Sequence, residues 1–271
     1  MPQTVLVTGA TDGIGLETAK QLARRGFRVM VHGRNPKRLE TCLHEIRSAA
    51  PGTELEPWLA DFGSLDQVRK MGESIVQSGS KLDAVIHNAG VFMNQYEETQ
   101  DGFETTFQVN HLAPFLLTCA LRESLNPTAR IIVVSSIAHW RGQMNWKDLN
   151  LKNGFTAYGA YAASKLCNVL FVNELHRRNQ GTPLQAYSLH PGVISTKLLR
   201  AGFSVVGSRV EEGAQTSVYL ASENLDPAWN GEYFVDSKVA EKSPNAQSPE
   251  FAERLWEKSV SLTGADWPPK S

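Results

Sequence analysis

Tyr161 and Lys165 stand four positions apart in an alanine-rich segment. If this segment is helical, the two side chains lie on one face, one turn apart. A lysine charge beside a phenol favours the phenolate, which makes the tyrosine a better acid or base near neutral pH. Tyr158 lacks this neighbour because its own i+4 position is Ala162. The alternative, which the spacing alone leaves open, is a structural helix with the tyrosine in the core and the lysine in water.

Three glycines, Gly9, Gly13 and Gly15, lie between a short apolar run (residues 5–8) and a helical pattern (residues 16–25). A turn at this place lets the backbone approach a pyrophosphate, whose charge meets the helix N-terminus. The spacing is Gly-x3-Gly-x-Gly and not the Gly-x-Gly-x-x-Gly of the older fingerprint. A plain glycine-rich turn is the alternative.

Strand-like and helical segments alternate along the whole chain, which predicts repeated right-handed βαβ units. The predicted strands are residues 5–8, 27–32, 58–61, 82–87, 130–135, 184–189 and 232–235. The predicted helices are residues 16–25, 36–47, 65–77, 103–125 (with a kink at Pro114), 158–178, 211–222 and 251–260. The expected fold is therefore α/β: a doubly wound, Rossmann-type parallel sheet with helices on both faces, formed by residues 1–271 as a single domain.

The composition narrows the class of protein further. Of the 271 residues, 41% are hydrophobic and 20% are charged, and the net charge of −1 gives no support for nucleic-acid binding. No apolar run approaches the ~18–20 residues that span a bilayer, and the first residues show no signal-peptide pattern. Three scattered cysteines and seven histidines without ligand spacing predict neither a disulfide framework nor a metal site. We expect a soluble, cytoplasmic protein.

The glycine turn, Thr8 to Gly15, resembles the cofactor loop of the short-chain dehydrogenase/reductases. Further motifs of that family follow in the correct order. Residues 87–90 look like its Asn-Asn-Ala-Gly, with His87 replacing the first Asn, and residues 190–192 match its Pro-Gly turn. Asn110 matches the family's structural and proton-relay asparagine, and Ser136 its catalytic serine.

The closer resemblance is to the retinol-dehydrogenase-like and WW-domain-oxidoreductase-like branch. It rests on residues 136–139, the long interval from Ser136 to Tyr161, and residues 190–193, 211–216, 231–234 and 252–256. The sequence departs from that branch because it shows neither an N-terminal membrane anchor nor a WW domain, so retinoid work at a membrane is not carried over.

The resemblance implies an NAD(P)-dependent oxidoreductase that transfers hydride between a nicotinamide and a hydrophobic aldehyde, ketone or alcohol. Tyr161 would be the acid/base, Ser136 would hydrogen-bond the reacting oxygen, and Lys165 would lower the tyrosine pKa and bind the ribose. Asn110 would hold a water that links Lys165 to solvent. The implied cofactor contacts are Gly9, Thr11, Asp12, Gly13, Ile14, Gly15, Arg34, Asn35, Asp61, Phe62, Asn88, Ala89, Gly90, Tyr161, Lys165, Pro191, Gly192, Val193 and Thr196.

The residues after the second strand bear on the choice between NADP and NAD. An acidic residue there binds the ribose 2′-hydroxyl of NAD, whereas arginine accommodates the 2′-phosphate of NADP. The chain has Arg34 and Asn35 and no carboxylate at this point, which favours NADP(H) with NAD(H) still usable. Against this stand Asp12 in the glycine loop and the alternative that Arg34 is merely solvated. Asp61 either contacts the adenine or caps the helix that follows.

Two alternatives concern the reacting groups. Ser135 and Ser136 point to opposite sides of a strand, so only one can face the nicotinamide, and the motif register favours Ser136. His139 and His190 are predicted to be loop or packing residues without a catalytic role.

Substrate determinants are expected in residues 138–155 and in a lid segment, residues 196–210. The lid segment contains the apolar residues Leu198, Leu199, Phe203, Val205 and Val206. A lid over an apolar pocket implies a small hydrophobic carbonyl or alcohol substrate. Ordinary helices packed on the core are the alternative.

Two rival functions remain at the sequence level. The chain could be a catalytically silent NADP-binding sensor, or an interaction scaffold that docks through its C-terminal extension, residues 243–271. By family habit the resemblance also implies a homodimer through the helices at residues 103–125 and 158–178, which the sequence alone does not show.

Overall fold

The computed structural model describes residues 2–202 and 206–267. The strands are β1 (Thr4–Val7), β2 (Arg28–Gly33), β3 (Leu55–Leu59), β4 (Leu82–His87), β5 (Leu125–Val134), β6 (Gln185–His190), β7 (Tyr233–Val235) and β8 (Lys238–Ala240). The helices are α1 (Gly13–Arg24), α2 (Pro36–Ala49), α3 (Leu65–Gln77), α4 (Thr105–Phe107), α5 (Ala113–Ala120), α6 (Ala157–Arg178), α7 (Lys197–Gly202), α8 (Val210–Ser222) and α9 (Pro249–Thr263).

All eight strands form one sheet in the order β3-β2-β1-β4-β5-β6-β7-β8. The first seven are parallel, which confirms the predicted doubly wound sheet, and β8 adds an antiparallel edge. Asp236 and Ser237 join β7 to β8 with φ values of 49° and 59°, as the two-residue hairpin turn requires. The strand order reverses between β1 and β4. In such sheets ligands bind in the crevice at that point, beyond the carboxyl ends of the strands.

Alternating residues of the strands build two cores, one on each face of the sheet. On β1, Val5 and Val7 pack with α1, α2 and α8, whereas Leu6 packs with α3, α5 and α6. Neighbouring side chains of a strand point to opposite faces, so a buried parallel strand is apolar throughout. These two cores fix the strand ends from which the cleft residues project.

The segment predicted as one helix over residues 103–125 is divided in the structure. A π-helical turn, Gln108–Leu112, joins α4 to α5, and the Ala113 amide bonds the Gln108 carbonyl five residues earlier. Pro114 has no N–H to donate to the carbonyl of Asn110, four residues before it, so the ordinary helical ladder cannot continue there. The expected kink is therefore a π turn. The helix ends at Ala120, and β5 begins at Leu125 instead of residue 130.

The C-terminal segment packs onto the molecule as a further layer. In α9 the Trp256 ring lies against Phe115 of α5 and Phe171 of α6, with centroid distances of 5.0 and 6.0 Å. Trp267 is buried and donates to the side chain of Asn179 at 3.1 Å. Described residues 243–267 therefore belong to the packed fold and are not a free docking segment. The homodimer stays a prediction, and an interface at α5 and α6 would have to include α9.

Candidate active site

One cleft opens at the carboxyl ends of the strands, where the strand order reverses. Every residue predicted from the sequence to bind cofactor or to react lies in its wall, with the exception of Asn110. The structure thus brings together segments that follow β1, β2, β3, β4, β5 and β6.

The glycine turn needs its glycines because other backbone passes close to it. Gly9 has a φ of +63°, and a Cβ there would lie 2.7 Å from the Cα of Ala89. A Cβ on Gly15 would collide with the Gly9 carbonyl and with the amide of Asn88. Asn88 donates from Nδ2 to the carbonyls of Thr8 (3.0 Å) and Gly9 (3.1 Å). The segment after β4 therefore braces the turn, and the predicted contact residue Asn88 has this holding role.

His32, at the end of β2, is a cleft residue that the sequence analysis missed. Its Nδ1 accepts from the Gly9 amide at 3.1 Å, which leaves Nε2 to donate to the Ala60 carbonyl at 3.0 Å. The ring stacks on Phe62 with 4.3 Å between centroids. Burial lowers the pKa of His32 to about 4, so the neutral ring links the ends of three strands at ordinary pH. The signal in the sequence that could have identified His32 is a histidine at the end of the predicted second strand.

The charged groups at one end of the cleft form a connected set. Asp12 caps α1 by accepting from the Gly13 amide at 2.8 Å, and its other oxygen pairs with Arg38 (2.8 Å) and Lys197 (2.6 Å). Partial burial acts to raise the pKa of Asp12, but hydrogen bonds from Lys197 and Gly13 and the two cations together lower it. The charge of Asp12 is thus compensated within the cleft wall.

Arg38 was also missed by the sequence analysis, although it lines the cleft together with Arg34. It occupies the third position of α2, where the cap residue Asn35 accepts from its amide at 3.1 Å. A cation near a helix N-terminus opposes the helix dipole, and the Asp12 carboxylate is the anionic partner that compensates Arg38 here.

Asp61 lies at the cleft and does not cap α3. Its Oδ1 accepts from the Gly63 amide at 2.9 Å, and Ser64 is the cap residue of α3. The alternative role considered for Asp61 from the sequence is therefore taken by Ser64.

The reacting end of the cleft is built by Ser136, Tyr161 and Lys165. The hydroxyl groups of Ser136 and Tyr161 are hydrogen-bonded to each other. The Lys165 Nζ lies 5.5 Å from the centre of the Tyr161 ring and donates to the Val134 carbonyl at 2.9 Å. Both side chains on α6 are buried, with exposed fractions of 6% for Tyr161 and 3% for Lys165.

Ser135 points away from this group, because its hydroxyl donates to the Lys165 carbonyl at 2.7 Å. Strand alternation therefore sends Ser135 into α6 and Ser136 toward the phenol.

The pKa of Tyr161 does not follow the expectation from the Tyr–Lys spacing. Burial raises it to about 12, and the hydrogen bond from Ser136 acts in the opposite direction. Burial also lowers the pKa of Lys165 to about 8, so the lysine is a weaker source of charge than an exposed one. The expected lowering of the tyrosine pKa is therefore not met by these residues by themselves, because desolvation of the phenol is the largest cause of the shift and raises the pKa.

Asn110 lies behind the cleft wall, in the π-helical turn. Its Nδ2 donates to the Val91 carbonyl (3.0 Å) and to the Ser164 hydroxyl (2.9 Å), and its Oδ1 accepts from the Val91 amide at 2.8 Å. Asn110 thus ties the segment after β4 to α6, which fits the structural half of its predicted role. The relay half stays a prediction.

The apolar part of the cleft surrounds the phenol. Phe92 and Leu198 pack against a cluster of Ala138, Tyr161 and Ala162. Thr196 caps α7 by accepting from the Leu199 amide at 3.2 Å, and Leu198 and Leu199 line the cleft. The segment predicted as a lid is helical at Lys197–Gly202, its role as a lid stays a prediction, and Phe203 and Val205 lie outside the described residues.

The expectation that residues 138–155 determine the substrate is wrong for most of that range. Of these residues, Ala138 lines the cleft, whereas Met144, Trp146 and Leu149 pack into a core cluster with the C-terminal segment. The Trp146 ring meets Phe251 of α9 edge-on at 5.2 Å. These partly buried apolar side chains therefore pack on the core and do not face the cleft.

Two classes of feature are missing from the residues that the structure describes. Within residues 2–202 and 206–267, no group of three or more His, Cys, Asp or Glu side chains is arranged to hold a metal ion. In the same ranges no helix combines the length and apolarity that a bilayer-crossing segment needs.

Comparison with known proteins decides the family. The family model for short chain dehydrogenases matches residues 3–204, which include the glycine turn, Asn110, Ser136, Tyr161 and Lys165. The chain is a short-chain dehydrogenase. As a member of this family it is an NAD(P)-dependent oxidoreductase that acts on alcohol or carbonyl groups.

Within the family this dehydrogenase belongs to the retinol-dehydrogenase-like branch. It is 40% identical to retinol dehydrogenase 12 of Mus musculus over 277 residues, covering 98% of this chain and 87% of that protein. It is 39% identical to retinol dehydrogenase 14 of Homo sapiens over 290 residues, covering 97% and 86%.

Solved structures agree with the fold. A crystal structure of a putative uncharacterized protein from Mycobacterium Paratuberculosis matches with a TM-score of 0.84 and 33% identity, over 99% of this chain and 97% of that one. A short chain dehydrogenase from Burkholderia cenocepacia in complex with NADP matches at 22% identity with a TM-score of 0.65, over 81% and 90%. The second likeness shows the fold alone.

Proposed function

We propose that the chain is an NADP(H)-preferring reductase of small hydrophobic aldehydes and ketones that also oxidises the corresponding alcohols. The observation that carries this proposal is the Ser136–Tyr161–Lys165 group at one end of a cleft whose other end is the glycine turn. A cofactor-only protein would need the second feature but not the first.

The cleft fits a dinucleotide. Gly9 and Gly15 let the turn pack tightly against Ala89 and Asn88, and the N-terminus of α1 lies in the cleft wall, where it can face a pyrophosphate. Arg34, directly after β2, and Arg38, in the first turn of α2, would hold a 2′-phosphate, since a guanidinium binds phosphate oxygens in a fork. Pro191, Gly192 and Thr196 would border the nicotinamide end.

The chemistry divides between the cofactor and the chain. A bound nicotinamide cofactor supplies or accepts the hydride. The Tyr161 phenol, with its pKa raised to about 12, is protonated at neutral pH and can give its proton to the carbonyl oxygen. The Ser136 hydroxyl hydrogen-bonds the same oxygen and stabilises the negative charge that develops on it. The Lys165 ammonium then stabilises the phenolate that remains. Asn110 would hold a water that links Lys165 to solvent, through which the proton returns.

A hydrophobic substrate is supported by the side chains around the phenol. Phe92, Leu198 and Leu199 cover it from the side of α7, and Ile137 at the cleft is 60% exposed. A pocket with few polar groups favours a carbonyl carried on an apolar body. The names of the relatives, retinol dehydrogenases, point in the same direction.

The cofactor preference can be tested by removing one guanidinium. Arg34→Ala is expected to lower kcat/KM for NADPH about 10–100-fold and to change that for NADH little, because the charged hydrogen bond to the 2′-phosphate is lost. Arg47→Ala, which makes the same charge change at the exposed end of α2, is the control. Wild-type efficiency with NADH equal to that with NADPH, or an Arg34→Ala variant that keeps its preference, would contradict the proposal.

The alternative is a silent NADP-binding sensor, which would bind the cofactor in the same cleft without turnover. A panel of aliphatic and aromatic aldehydes with NADPH, followed at the nicotinamide absorbance, separates the two. Turnover of any apolar aldehyde supports the reductase, while tight NADPH binding without turnover supports the sensor. A cytoplasmic location stays a prediction in either case.

A further inference from the structure

His139 lies directly behind Ser136, in the 3₁₀ turn Ile137–Arg141, and is completely buried. Its Nδ1 is 2.7 Å from the Ser136 carbonyl oxygen, and its Nε2 is 3.1 Å from the backbone nitrogen of Ser243. The His139 backbone amide donates to the same Ser136 carbonyl at 3.1 Å. Two groups of one residue thus hold the peptide that follows the serine.

The bond to Ser243 fixes the tautomer of this histidine. A backbone N–H can only donate, so Nε2 of His139 must be the acceptor, and Nδ1 must carry the hydrogen that is donated to Ser136. Burial lowers the pKa of His139 and keeps the ring neutral. Both ring nitrogens are therefore occupied, one by the serine turn and one by the C-terminal segment.

The C-terminal segment holds the same turn at a second point. Asn245 donates from Nδ2 to the Gly142 carbonyl at 3.1 Å, just after the 3₁₀ turn ends. Residues 243–246, which we term the C-terminal clamp, are buried at Ser243 and Ala246, and the Ser243 hydroxyl accepts from the Ala246 amide at 3.3 Å. The C-terminal clamp therefore forms hydrogen bonds to this turn at His139, in its middle, and at Gly142, just after its end.

We propose that His139 is a positioning residue that transmits the hold of the C-terminal clamp to the catalytic serine. The inference rests on the proposed function, because it assigns a purpose to the placement of the Ser136 hydroxyl. That hydroxyl must meet both Tyr161 and the substrate oxygen, and a displacement of about 1 Å can cost about a hundredfold in rate. The family model ends at residue 204, so the clamp comes from a part of the chain that the model does not cover.

Two substitutions separate the two bonds of the histidine. His139→Asn places an amide where Nδ1 was and can keep the bond to Ser136, whereas His139→Gln places an oxygen near Nε2 and can keep the bond to Ser243. We expect His139→Gln to lower kcat by about tenfold or more. NADPH affinity, measured by fluorescence titration, should stay unchanged. His139→Asn should retain more activity than His139→Gln.

His176→Gln is the matched control, since His176 lies fifteen residues beyond Tyr161 on α6, or about 22 Å along the helix axis. The proposal is overturned if His139→Gln keeps the wild-type kcat, or if its loss is shared by the control. It is equally overturned if NADPH affinity falls with kcat, or if His139→Asn, which loses the bond to Ser243, keeps the wild-type kcat.

Hydrogen exchange distinguishes failure of this inference from failure of the proposed function. Amides of residues 137–142 should exchange faster in both His139 variants than in the wild type, whether or not any carbonyl is reduced. A wild-type chain without turnover would refute the proposed function alone, whereas unchanged exchange in this turn would refute the clamp.

Discussion

Lys165 is a buried ammonium held by the Val134 carbonyl, next to the Tyr161 ring. Burial lowers its pKa from 10.5 to about 8. The side chain is therefore largely cationic at pH 7 and loses its charge as the pH rises through about 8. If the cation stabilises the phenolate, the rate of carbonyl reduction falls across that same range. Position and desolvation thus make Lys165 a pH-sensitive partner of the tyrosine.

The same burial has a cost for folding, which Lys165→Met should reveal. Below about pH 8 Lys165 is protonated in both the folded and the unfolded chain. The unfolded chain binds this proton more tightly, so burial of the charge lowers the free energy of unfolding. A shift from 10.5 to about 8 corresponds to about 3 kcal/mol. Lys165→Met is expected to raise the free energy of unfolding at pH 7 by about 1–3 kcal/mol while it abolishes turnover. The Val134 carbonyl keeps a donor in Asn168, at 3.2 Å. Urea unfolding gives the measurement.

The pH dependence of the unfolding free energy tests whether burial of the Lys165 charge destabilises the fold. Between about pH 8 and 10.5 the unfolded wild-type chain binds the proton and the folded chain does not, so wild-type stability rises with pH through this window. The methionine variant lacks this rise. A variant that is less stable than the wild type at pH 7 would show that the hydrogen bonds of Lys165 outweigh its desolvation.

At the scale of elements, α7 joins the two halves of the cleft. It begins at Lys197, whose ammonium pairs with Asp12 of the glycine turn at 2.6 Å, and its cap residue Thr196 lies against Gly13. Just before α7, the Ser195 amide donates to the Ser208 carbonyl at 2.9 Å. This bond joins the two ends of the segment predicted as a lid. The lid is thus attached to the turn predicted to bind the pyrophosphate.

Lys197→Ala should loosen this attachment. An exposed ion pair contributes about 0.2–1 kcal/mol, so limited trypsin digestion should cleave after Arg200 about 1.4- to 5-fold faster. Lys238→Ala, at an exposed lysine of β8, is the control. NADPH together with an apolar aldehyde should protect Arg200 in the wild type. Equal cleavage rates in all three proteins, or no protection, would contradict the lid interpretation.

For the whole molecule, α9 replaces solvent over α5 and α6 and stabilises the face behind the reacting groups. Trp256→Ala removes a ring that is 3% exposed and packed on two phenylalanines, so the expected loss is about 3–5 kcal/mol of unfolding free energy. Trp140→Ala, at a ring that is 42% exposed, should cost far less. Thermal and urea unfolding compare the two, and similar losses would show that α9 is not part of the cooperative core.

The sequence predicted those features of the site that have a local cause. Gly9 and Gly15 show in the sequence because the turn admits no side chain, and strand alternation separates Ser136 from Ser135. The parallel, doubly wound sheet followed from the regular alternation of strands and helices.

Other features depend on contacts between distant parts of the chain and could not be predicted locally. Trp146 reads as a pocket residue until Phe251, over a hundred positions later, is found beside it. The hydrogen bond between Ser243 and His139 likewise joins two positions that are far apart in the sequence. The pKa of Tyr161 was predicted in the wrong direction because spacing shows the lysine but not the burial of the phenol.

The central claim is that Tyr161 delivers the proton to a carbonyl reduced with NADPH. The most direct measurement is single-turnover reduction of an apolar aldehyde by wild type and Tyr161→Phe, with NADPH affinity determined in parallel. Tyr187→Phe, at a buried tyrosine on the other face of the sheet, is the control. We predict that Tyr161→Phe slows reduction about 10²–10⁴-fold with NADPH binding intact. Reduction by Tyr161→Phe at a rate close to that of the wild type would contradict it.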